Sequence, residues 1–397
     1  MENVRILSKD VCVNNDTWAT GLNNNDMIIG GSGAGKTRGY VLPNILQGNE
    51  SMIIADTKGS VQGQVEQALL ANGYKIMNID FRDLKQSYGY NPLDYVRYDK
   101  EKDQYSEQDI MTIASCLVPI EAVNDPFWEL SARIYIESMI AYVFECLPEN
   151  EHNLVSVVQL FHEMNTGRFN SLFEELKQQA PQSFALNRYN MYQGTQKSEK
   201  TYESVRAFVG KNLSVMCLES TQAIFKNPQK IRFEDLGKEK TAVFLSVSDT
   251  DRSMDKLANL FYTQALHALC GSADRDYTDF RLPIPVRFIL DDFAANVFIP
   301  DFDKIISIIR SREISVSVIL QSISQLEGMY GHAGAMTILN NCDHCLYLGG
   351  QDVETARYIS VKANKSATSI LNMPLNDAWL FTRGSEPKQV AKYVLTA

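Results

Sequence analysis

The sequence predicts an α/β fold: a mostly parallel sheet flanked by helices, with an all-helical domain inserted into it. Three observations lead to this prediction. Short apolar runs rich in β-branched residues recur along the chain, they vanish between roughly residues 104 and 235 where helical spacing replaces them, and they return afterwards. Because the apolarity of these runs is continuous rather than alternating, we expect strands that are covered on both faces.

Eight such runs are expected to be strands, each bounded by turn or polar residues. They lie at 27–29, 52–55, 75–79, 242–247, 286–290, 316–320, 346–348 and 378–381. The block between them has apolar residues at helical spacing, as from Leu130 through Ile134 to Phe144. We therefore expect one α/β domain built from residues 1–103 and 236–397, with an all-α domain at 104–235 inserted into it.

A glycine-rich segment directly after the first of these runs fits the phosphate-binding pattern G-x-x-x-x-G-K-[ST] at every position. It reads Gly30-Gly31-Ser32-Gly33-Ala34-Gly35-Lys36-Thr37. Glycines let backbone N–H groups curl around a polyphosphate, and a helix that begins near Lys36 adds a favourable dipole. Lys36 is expected to bridge the outer phosphates, and the Thr37 hydroxyl to hold Mg²⁺. The segment therefore predicts a bound nucleoside triphosphate.

A second signal is an apolar strand that ends in carboxylates, and residues 286–290 followed by Asp291 and Asp292 supply it. The first carboxylate is expected to orient Mg²⁺, and the second to take a proton from the attacking water. The pair therefore predicts hydrolysis of the triphosphate. Because aspartate is one methylene shorter than the glutamate that most motor ATPases carry at the second position, we expect a displaced water or an adjusted strand end.

Arg310 and Gln321 flank the strand expected at 316–320 and are further candidates. A glutamine at the tip of a strand beside the carboxylate strand can sense the γ-phosphate or hold the lytic water. Arg310 can reach the nucleotide of a neighbouring subunit and compensate charge in the transition state. A surface arginine pair with Arg312 and an ordinary polar strand end remain open as alternatives.

Composition restricts the function further. The net charge of -10 excludes a protein that coats nucleic acid by bulk charge, so any contact with DNA or RNA is confined to a local patch or channel. Seven cysteines without a disulfide framework suit a reducing cytosol, and Cys342 and Cys345 lack the second pair that a zinc site needs. No stretch approaches about 18 apolar residues, so the chain as given is expected to be soluble.

Charge is uneven inside the helical block. Residues 104–175 carry twelve acidic residues against Arg133 and Arg168, whereas residues 177–232 carry nine basic residues against three acidic ones. Four aromatic residues interleave the basic half: Tyr189, Tyr192, Tyr202 and Phe208. This combination can grip a nucleic-acid backbone and stack on bases, and two solvated helix faces of opposite sign are the simpler alternative.

Several further motifs continue the pattern in order and spacing. They are Val41-Leu42-Pro43-Asn44-Ile45-Leu46, Asp56-Thr57-Lys58-Gly59, Tyr90-Asn91-Pro92-Leu93, Asp125-Pro126-Phe127-Trp128 and Leu290-Asp291-Asp292-Phe293-Ala294. Together with Arg310 and Gln321 they resemble the type IV coupling proteins of bacterial conjugation and type IV secretion, within the FtsK/HerA group of RecA-like motors. The resemblance spans nearly the whole chain. Two departures are Thr57 in place of a proline and Asp292 in place of a glutamate.

This resemblance implies a RecA-like motor domain bearing an all-α domain, and an ATPase that uses ATP and Mg²⁺ and assembles as a ring of six. It implies that the ring couples a relaxase-bound single-stranded DNA to the secretion channel at the cytoplasmic face of the bacterial membrane. Family members usually begin with two transmembrane helices, whereas here the first motor strand comes almost at once. We expect one of two explanations: the chain is a truncated fragment, which would be monomeric by itself, or another subunit anchors it to the membrane.

Two other functions remain open. An ATP-gated receptor would recruit relaxase or effector proteins without pumping DNA, and the acidic segment 104–175 can attract basic partners for it. A translocase of double-stranded DNA from the same superfamily is the third candidate. The elements at 90–93 and 125–128, and the size of the helical block, argue against that one.

Overall fold

The computed structural model describes residues 3–57, 59–83, 87–120, 124–164, 166–196, 198–248, 250–293 and 298–395. Contacts divide the chain into two compact units. The first unit comprises Met1–Arg82, Arg232–Asp255 and Ala265–Ala397, and the second comprises Asp83–Ile231 and Lys256–Gln264. The second unit starts at Asp83, well before the boundary at residue 104 that the sequence predicts. The prediction placed the boundary too late because the segment from residue 83 onward has no long apolar run that marks a change of domain.

The strands in chain order are β1 (Val4–Ser8), β2 (Val11–Asn14), β3 (Asp26–Ile29), β4 (Ser51–Ala55), β5 (Lys75–Asp80), β6 (Tyr98–Asp99), β7 (Gln104–Tyr105), β8 (Thr241–Ser246), β9 (Val286–Leu290), β10 (Ile314–Leu320), β11 (His344–Tyr347), β12 (Asp377–Thr382) and β13 (Lys388–Ala391). In the first unit, nine of them form one sheet in the order β13-β12-β11-β3-β10-β9-β4-β8-β5. The seven strands from β11 to β5 run parallel, and β12 and β13 are antiparallel. The predicted mostly parallel sheet is confirmed.

The α-helices in chain order are α1 (Thr17–Thr20), α2 (Leu42–Gln47), α3 (Ser60–Ala71), α4 (Glu107–Leu117), α5 (Phe127–Cys146), α6 (Leu154–Glu163), α7 (Arg168–Gln179), α8 (Phe184–Gln196), α9 (Glu199–Leu213), α10 (Glu219–Lys226), α11 (Asp255–Asp276), α12 (Phe302–Ile305), α13 (Ile323–Asn340), α14 (Val353–Ala363) and α15 (Ala367–Leu371). A π-helical turn, Thr37–Val41, leads directly into α2. No helix in the described ranges is both long and apolar enough to cross a membrane.

The centre of the sheet is covered on both faces, as its continuous apolar runs predict. Every residue of β10, β9 and β4 is buried, and strands β3 and β11 are buried throughout as well. All eight predicted runs form strands of this sheet. The hairpin of β1 and β2 and the edge strand β13 escaped prediction. Strands β2 and β13 have four residues each, all half-buried or exposed, whereas β1 is buried but its apolar residues are interrupted by Arg5 and Ser8.

A buried cluster of polar and charged side chains lies where β3 and β9 begin, and we call it the amino-edge cluster. It consists of Arg5, Asp26, Tyr40, Glu50, Arg287 and Ser317. Arg5 donates two hydrogen bonds to Asp26, of 2.8 and 3.2 Å, and the Tyr40 hydroxyl donates a third, of 2.5 Å. Arg287 pairs with Glu50 and also donates to the Ser317 hydroxyl. These charges are therefore compensated within the protein.

The second unit is built from helices α4 to α10, with α5 buried along most of its length. Its core is aromatic: the ring of Tyr189 stacks on Phe173 with centroids 4.2 Å apart. Tyr189 and Tyr192 are 2% and 1% exposed. Neither ring can stack on a base from inside a packed core, so the hypothesis of base stacking is wrong for these two residues. Their spacing reflects helix packing.

Candidate functional site

The carboxyl edge of the parallel strands gathers the residues that the motifs single out. The glycine-rich segment follows β3, Asp291 and Asp292 follow β9, and Gln321 follows β10. Because β3, β10 and β9 are neighbours that run parallel, their carboxyl ends meet at one edge. Open α/β sheets bind ligands at this edge.

The glycine-rich loop is anchored by backbone hydrogen bonds to two neighbouring strands. Gly30 N–H donates to Leu320 O at 3.0 Å, and Gly31 N–H donates to Gly349 O at 2.9 Å. A Cβ on Gly30 would lie 3.0 Å from Leu348 Cβ, so this position has no room for a side chain. The loop is therefore fixed to the sheet at its first two residues.

The rest of the loop turns through left-handed backbone at Gly33 (φ 74°) and Gly35 (φ 94°). Such φ values favour glycine, and no heavy atom lies within 4 Å of a Cβ built at either position. Between them Ala34 N–H closes the turn by donating to Gly31 O at 3.1 Å, and Ser32 is exposed. The loop therefore forms an open cradle with its backbone accessible.

Lys36 lies folded back on this cradle. Its Nζ donates to Gly30 O at 2.8 Å and to Gly31 O at 3.3 Å, and it lies 4.0 Å from Asp292 Oδ1. The residue is only 9% exposed. A largely buried ammonium held mainly by neutral carbonyls is poised to exchange them for phosphate oxygens, which carry charge.

Thr37 and Asp291 meet where β9 ends and the helical turn after the loop begins. The Thr37 hydroxyl donates to Asp291 Oδ2 at 3.0 Å. Burial, and next the charge of Asp292, raise the pKa of Asp291, although Thr37 and Lys36 act in the opposite direction. The pair presents hydroxyl and carboxylate oxygens, which are the ligands that Mg²⁺ prefers.

Asp292 adopts a left-handed backbone, with φ 50°. Its N–H donates to Asp291 Oδ1 at 3.0 Å. Its own Oδ1 is buried and has no hydrogen-bond partner among the described residues. This carboxylate oxygen, which lies beside Lys36 and Asp291, is therefore available to bind a water molecule or a cation. The residues present therefore fit Mg²⁺ and a polyphosphate.

Gln321 and Arg310 lie at opposite edges of the sheet. Gln321 follows the carboxyl end of β10, and its N–H donates to Gln325 Oε1 at 3.3 Å. Arg310 precedes the amino end of β10, and its guanidinium donates to Thr17 O at 3.0 Å. Arg312 forms two hydrogen bonds of 2.8 Å with Asp274. The structure thus brings Gln321 to the loop edge of its own chain but not Arg310, whose action in trans stays a prediction.

Sequence reasoning missed two residues that hydrogen-bond to the backbone of the glycine-rich loop. Lys392 Nζ, just beyond β13, donates to Ala34 O at 3.1 Å, and Gly349 accepts the Gly31 N–H. The pair Gly349-Gly350 directly after a buried strand was a usable signal, since it resembles the position of the loop itself. Lys392 gave no signal, because its partner is 358 residues away in the chain.

Asp56 has a local structural role. Its Oδ2 accepts hydrogen bonds from the N–H groups of Val61 and Gln62, in the first turn of α3. Stabilisation of this turn accounts for both bonds. Lys58, and Ala294 after the carboxylate pair, lie outside the described residues.

Comparison with known proteins settles the family. The family model described as "Type IV secretory system Conjugative DNA transfer" matches residues 2–383. The chain belongs to this family. The resemblance on the short motifs is thereby confirmed over nearly the full length.

Among curated members, the VirD4 protein of Agrobacterium fabrum is 25% identical over 342 residues, covering 84% of this chain and 48% of VirD4. The VirD4 protein of Rhizobium radiobacter is 25% identical over 339 residues, covering 84% of this chain and 47% of the relative. The chain thus spans about half the length of the curated relatives it matches.

Solved structures show the same fold. The unbound conjugative coupling protein TrwB has a TM-score of 0.68 at 15% identity, covering 94% of this chain and 85% of TrwB. TrwB in complex with ADP and Mg²⁺ has a TM-score of 0.67 at 16% identity, covering 94% and 86%. VirB4 of Thermoanaerobacter pseudethanolicus has a TM-score of 0.56 at 15% identity, covering 99% and 96%. The predicted RecA-like P-loop fold with inserted helices is confirmed.

Proposed function

We propose that this chain is the ATP-hydrolysing part of a coupling protein in a conjugative type IV secretion system. One observation carries the proposal: the open glycine-rich cradle and the hydrogen-bonded pair Thr37 and Asp291 share one sheet edge, in a member of the conjugative DNA transfer family. TrwB, which shares the fold, has a solved structure in complex with ADP and Mg²⁺. The same ligands fit the oxygen atoms and the cradle of this chain.

Each residue of the edge has a role in this proposal. Residues 30–35 hold the phosphates through their backbone N–H groups, and Lys36 moves from the loop carbonyls to the outer phosphates. Thr37 and Asp291 hold Mg²⁺, which neutralises charge on the phosphates when it is bound. Asp292 accepts the proton of the attacking water, and Gln321 positions that water.

The proposal extends to partners. The transported substrate is a relaxase-bound single-stranded DNA, and the acceptor is the secretion channel at the cytoplasmic face of the membrane. Six subunits form a ring in which Arg310 of one subunit stabilises the phosphoryl group bound by the next. The position of Arg310 away from the loop of its own chain supports action between subunits.

The decisive experiment is ATP hydrolysis by the Lys36→Ala variant, with and without single-stranded DNA at fixed salt. We expect turnover to fall by a factor on the order of 100 or more, because Lys36 is the buried cation that stabilises charge on the transferred phosphate. Lys75→Ala is the matched control, since Lys75 forms an exposed ion pair with Glu239 away from the loop. Unchanged turnover in Lys36→Ala would refute the assignment.

The dependence of the ATP hydrolysis rate on single-stranded DNA distinguishes the motor from the receptor alternative. A motor hydrolyses ATP faster when single-stranded DNA is added, whereas a receptor that only recruits proteins does not respond. A rate independent of DNA, together with partner binding that is lost when the acidic segment 104–175 is neutralised, would favour the receptor. The motor proposal would then be wrong although ATP is bound.

A further inference from the structure

Tyr330 lies on α13 and contacts the chain segment that follows the carboxylate pair Asp291 and Asp292, within the first unit. Its hydroxyl accepts a hydrogen bond of 3.0 Å from Ile299 N–H and donates one of 3.1 Å to Ile299 O. Burial raises the pKa of Tyr330, so the hydroxyl keeps its proton and remains able to donate. One side chain thus binds both backbone polar groups of Ile299.

The Tyr330 ring contacts the same segment through aromatic side chains. It lies parallel to the ring of Phe293, with centroids 6.0 Å apart, and it stacks on Phe298 with centroids 5.1 Å apart. The ring of Phe302 lies 5.2 Å from that of Phe293. These separations are in the range in which aromatic pairs attract each other. Phe293, which directly follows Asp292 in the chain, is 0% exposed and is therefore held in place by this packing.

The helix that carries Tyr330 begins beside Gln321, at the carboxyl edge of the sheet. Gln321 N–H donates to the Gln325 side chain in the first turn of α13, at 3.3 Å. The Ser324 hydroxyl lies 3.1 and 3.0 Å from the two carboxylate oxygens of Asp352, the residue that caps α14. The start of α13 is therefore fixed both to Gln321 and to a neighbouring helix.

The helical geometry of α13 is interrupted directly after Tyr330. Gly331 has φ 67° and ψ 169°, a backbone conformation that is accessible almost only to glycine. A Cβ on Gly334 would lie 3.0 Å from Tyr330 Cβ, so the chain beyond the break packs closely on Tyr330. Residues 323–330 therefore form a separate segment of about two helical turns, with Gln321 before it and Tyr330 at its end.

We infer that Tyr330 is a positioning residue for Asp292, and that residues 323–330 fix the place of Asp292 relative to Gln321. The inference rests on the proposed function, in which Asp292 accepts the proton of the attacking water and Gln321 positions that water. Both side chains must reach the same water molecule, because a general base acts only within hydrogen-bond distance. A displacement of about 1 Å can lower a catalysed rate about a hundredfold. A contact between the segment after Asp292 and the helix beside Gln321 therefore affects the rate directly.

The test is Tyr330→Phe in the full 397-residue chain, since this change keeps the ring and removes only the two hydrogen bonds to Ile299. We expect the kcat of ATP hydrolysis to fall about tenfold, because Asp292 is then held less precisely. The affinity for a non-hydrolysable ATP analogue with Mg²⁺ should change by less than about twofold, because the glycine-rich loop holds the phosphates. Retained binding of the analogue also shows that the variant is folded.

Tyr74→Phe is the matched control. Tyr74 is buried in the first unit, and its hydroxyl donates to Glu50 O at 2.7 Å, beside the amino-edge cluster. This change also removes a hydrogen bond from a buried tyrosine to the backbone, so it should lower thermal stability, but it should leave kcat unchanged. An equal fall of kcat in Tyr74→Phe and Tyr330→Phe would overturn the inference, because the loss of turnover would then follow from stability alone.

Asp292→Asn shows whether Tyr330 acts through Asp292. Adding Tyr330→Phe to Asp292→Asn should lower kcat no further, since Tyr330 cannot position a base that is absent. Losses that multiply would overturn the inference. An unchanged kcat in Tyr330→Phe would overturn it alone, whereas an unchanged kcat in Asp292→Asn would also refute the role of Asp292 in the proposed function.

Phe298→Leu is a second variant, and it decides the outcome if Tyr330→Phe does not fold. Phe298 is half-buried, and the change removes its ring from the Tyr330 ring while leaving Tyr330 itself intact. We expect kcat to fall severalfold without a change in affinity for the ATP analogue, and to fall no further when Asp292→Asn is already present. An unchanged kcat in Phe298→Leu, with Tyr330→Phe unfolded, would count against the inference and overturn it.

Discussion

The two edges of the parallel sheet differ in how the carboxylates there are hydrogen-bonded. At the amino edge Asp26 is fully buried, yet Arg5 and Tyr40 donate hydrogen bonds to its carboxylate. At the carboxyl edge Asp291 is half-buried, and its neighbour Asp292 has a carboxylate oxygen without a hydrogen-bond partner among the described residues. The pKa of Asp26 is lowered, whereas the pKa of Asp291 is raised. The protein itself supplies hydrogen bonds to the Asp26 carboxylate at one edge, whereas at the other edge the Asp292 carboxylate keeps an oxygen that a ligand can use.

The physical cause of this contrast is the balance between desolvation and charge. Burial is the largest single influence on the pKa of Asp26 and raises it, but the charges of Arg5, Arg287 and His344 and the hydrogen bond from Tyr40 together outweigh burial, so the net pKa is lowered. At Asp291 burial and the charge of Asp292 act in the same direction, and the net pKa is raised. An edge that binds cations must tolerate excess negative charge, whereas an edge that stabilises the fold must not.

The largest effect on stability is expected from breaking the amino-edge cluster. Asp26→Ala leaves Arg5 and Arg287 buried without their shared carboxylate, so the free energy of unfolding should fall by about 3–5 kcal/mol. Urea denaturation followed by circular dichroism measures the change. The exposed pair Arg357 and Glu354 provides the control, and Glu354→Ala should change stability by less than about 1 kcal/mol.

Breaking the carboxyl edge should have the reverse sign. The folded-state pKa of Asp291 is raised, so its charged form costs stability at neutral pH, and the cost grows as the pH rises through that pKa. Asp291→Asn removes the charge and should raise the free energy of unfolding, or at least leave it unreduced. The same variant should lose Mg²⁺-dependent hydrolysis. A loss of stability comparable with that of Asp26→Ala would contradict the comparison of the two edges.

A smaller effect concerns pH. Because Asp291 must be ionised to hold Mg²⁺, the Mg²⁺ dependence of ATP binding should weaken severalfold as the pH falls from neutral through the raised pKa of Asp291. Asp292→Asn removes one cause of the raised pKa and should move this weakening to lower pH. Protonation of ATP is common to both chains and cancels in the comparison. Identical pH profiles would mean that Asp292 does not influence Asp291.

Over the same pH range the amino-edge cluster should remain intact. The folded-state pKa of Asp26 is lowered, so its contribution to stability is present above the ordinary value of 3.8 and is lost only as the pH falls further. In an Asp291→Asn chain, Asp26 should stay ionised between about pH 7 and pH 5. Protonation of Asp26 should therefore make little contribution to the pH dependence of the free energy of unfolding over that range. Binding at one edge and stability at the other thus respond to acid separately.

Local sequence patterns predicted the parts of the molecule that depend on local chemistry. The strands of the sheet centre were predictable because burial on both faces demands unbroken apolar runs, as in β10. The cradle was predictable because left-handed turns at Gly33 and Gly35 restrict the residue type. Asp291 followed from its place after a buried strand.

Contacts between distant segments were beyond the reach of these patterns. Lys392 touches Ala34 only because the sheet places β13 near the loop, and nothing around Lys392 in the chain marks it. The burial of Tyr189 and Tyr192 depends on how α8 packs against α5, which their spacing beside basic residues did not reveal. The start of the helical unit at Asp83 likewise depends on packing and not on composition.

The left-handed backbone at Asp292 has a consequence for how this position can change over time. Aspartate tolerates φ 50° with little strain, whereas glutamate is much less common in that region. Asp292→Glu would therefore meet a backbone cost of about 1 kcal/mol before any catalytic gain from the longer side chain. The residue and the conformation favour each other, so glutamate should be better tolerated at position 292 once neighbouring substitutions have relaxed this strand end.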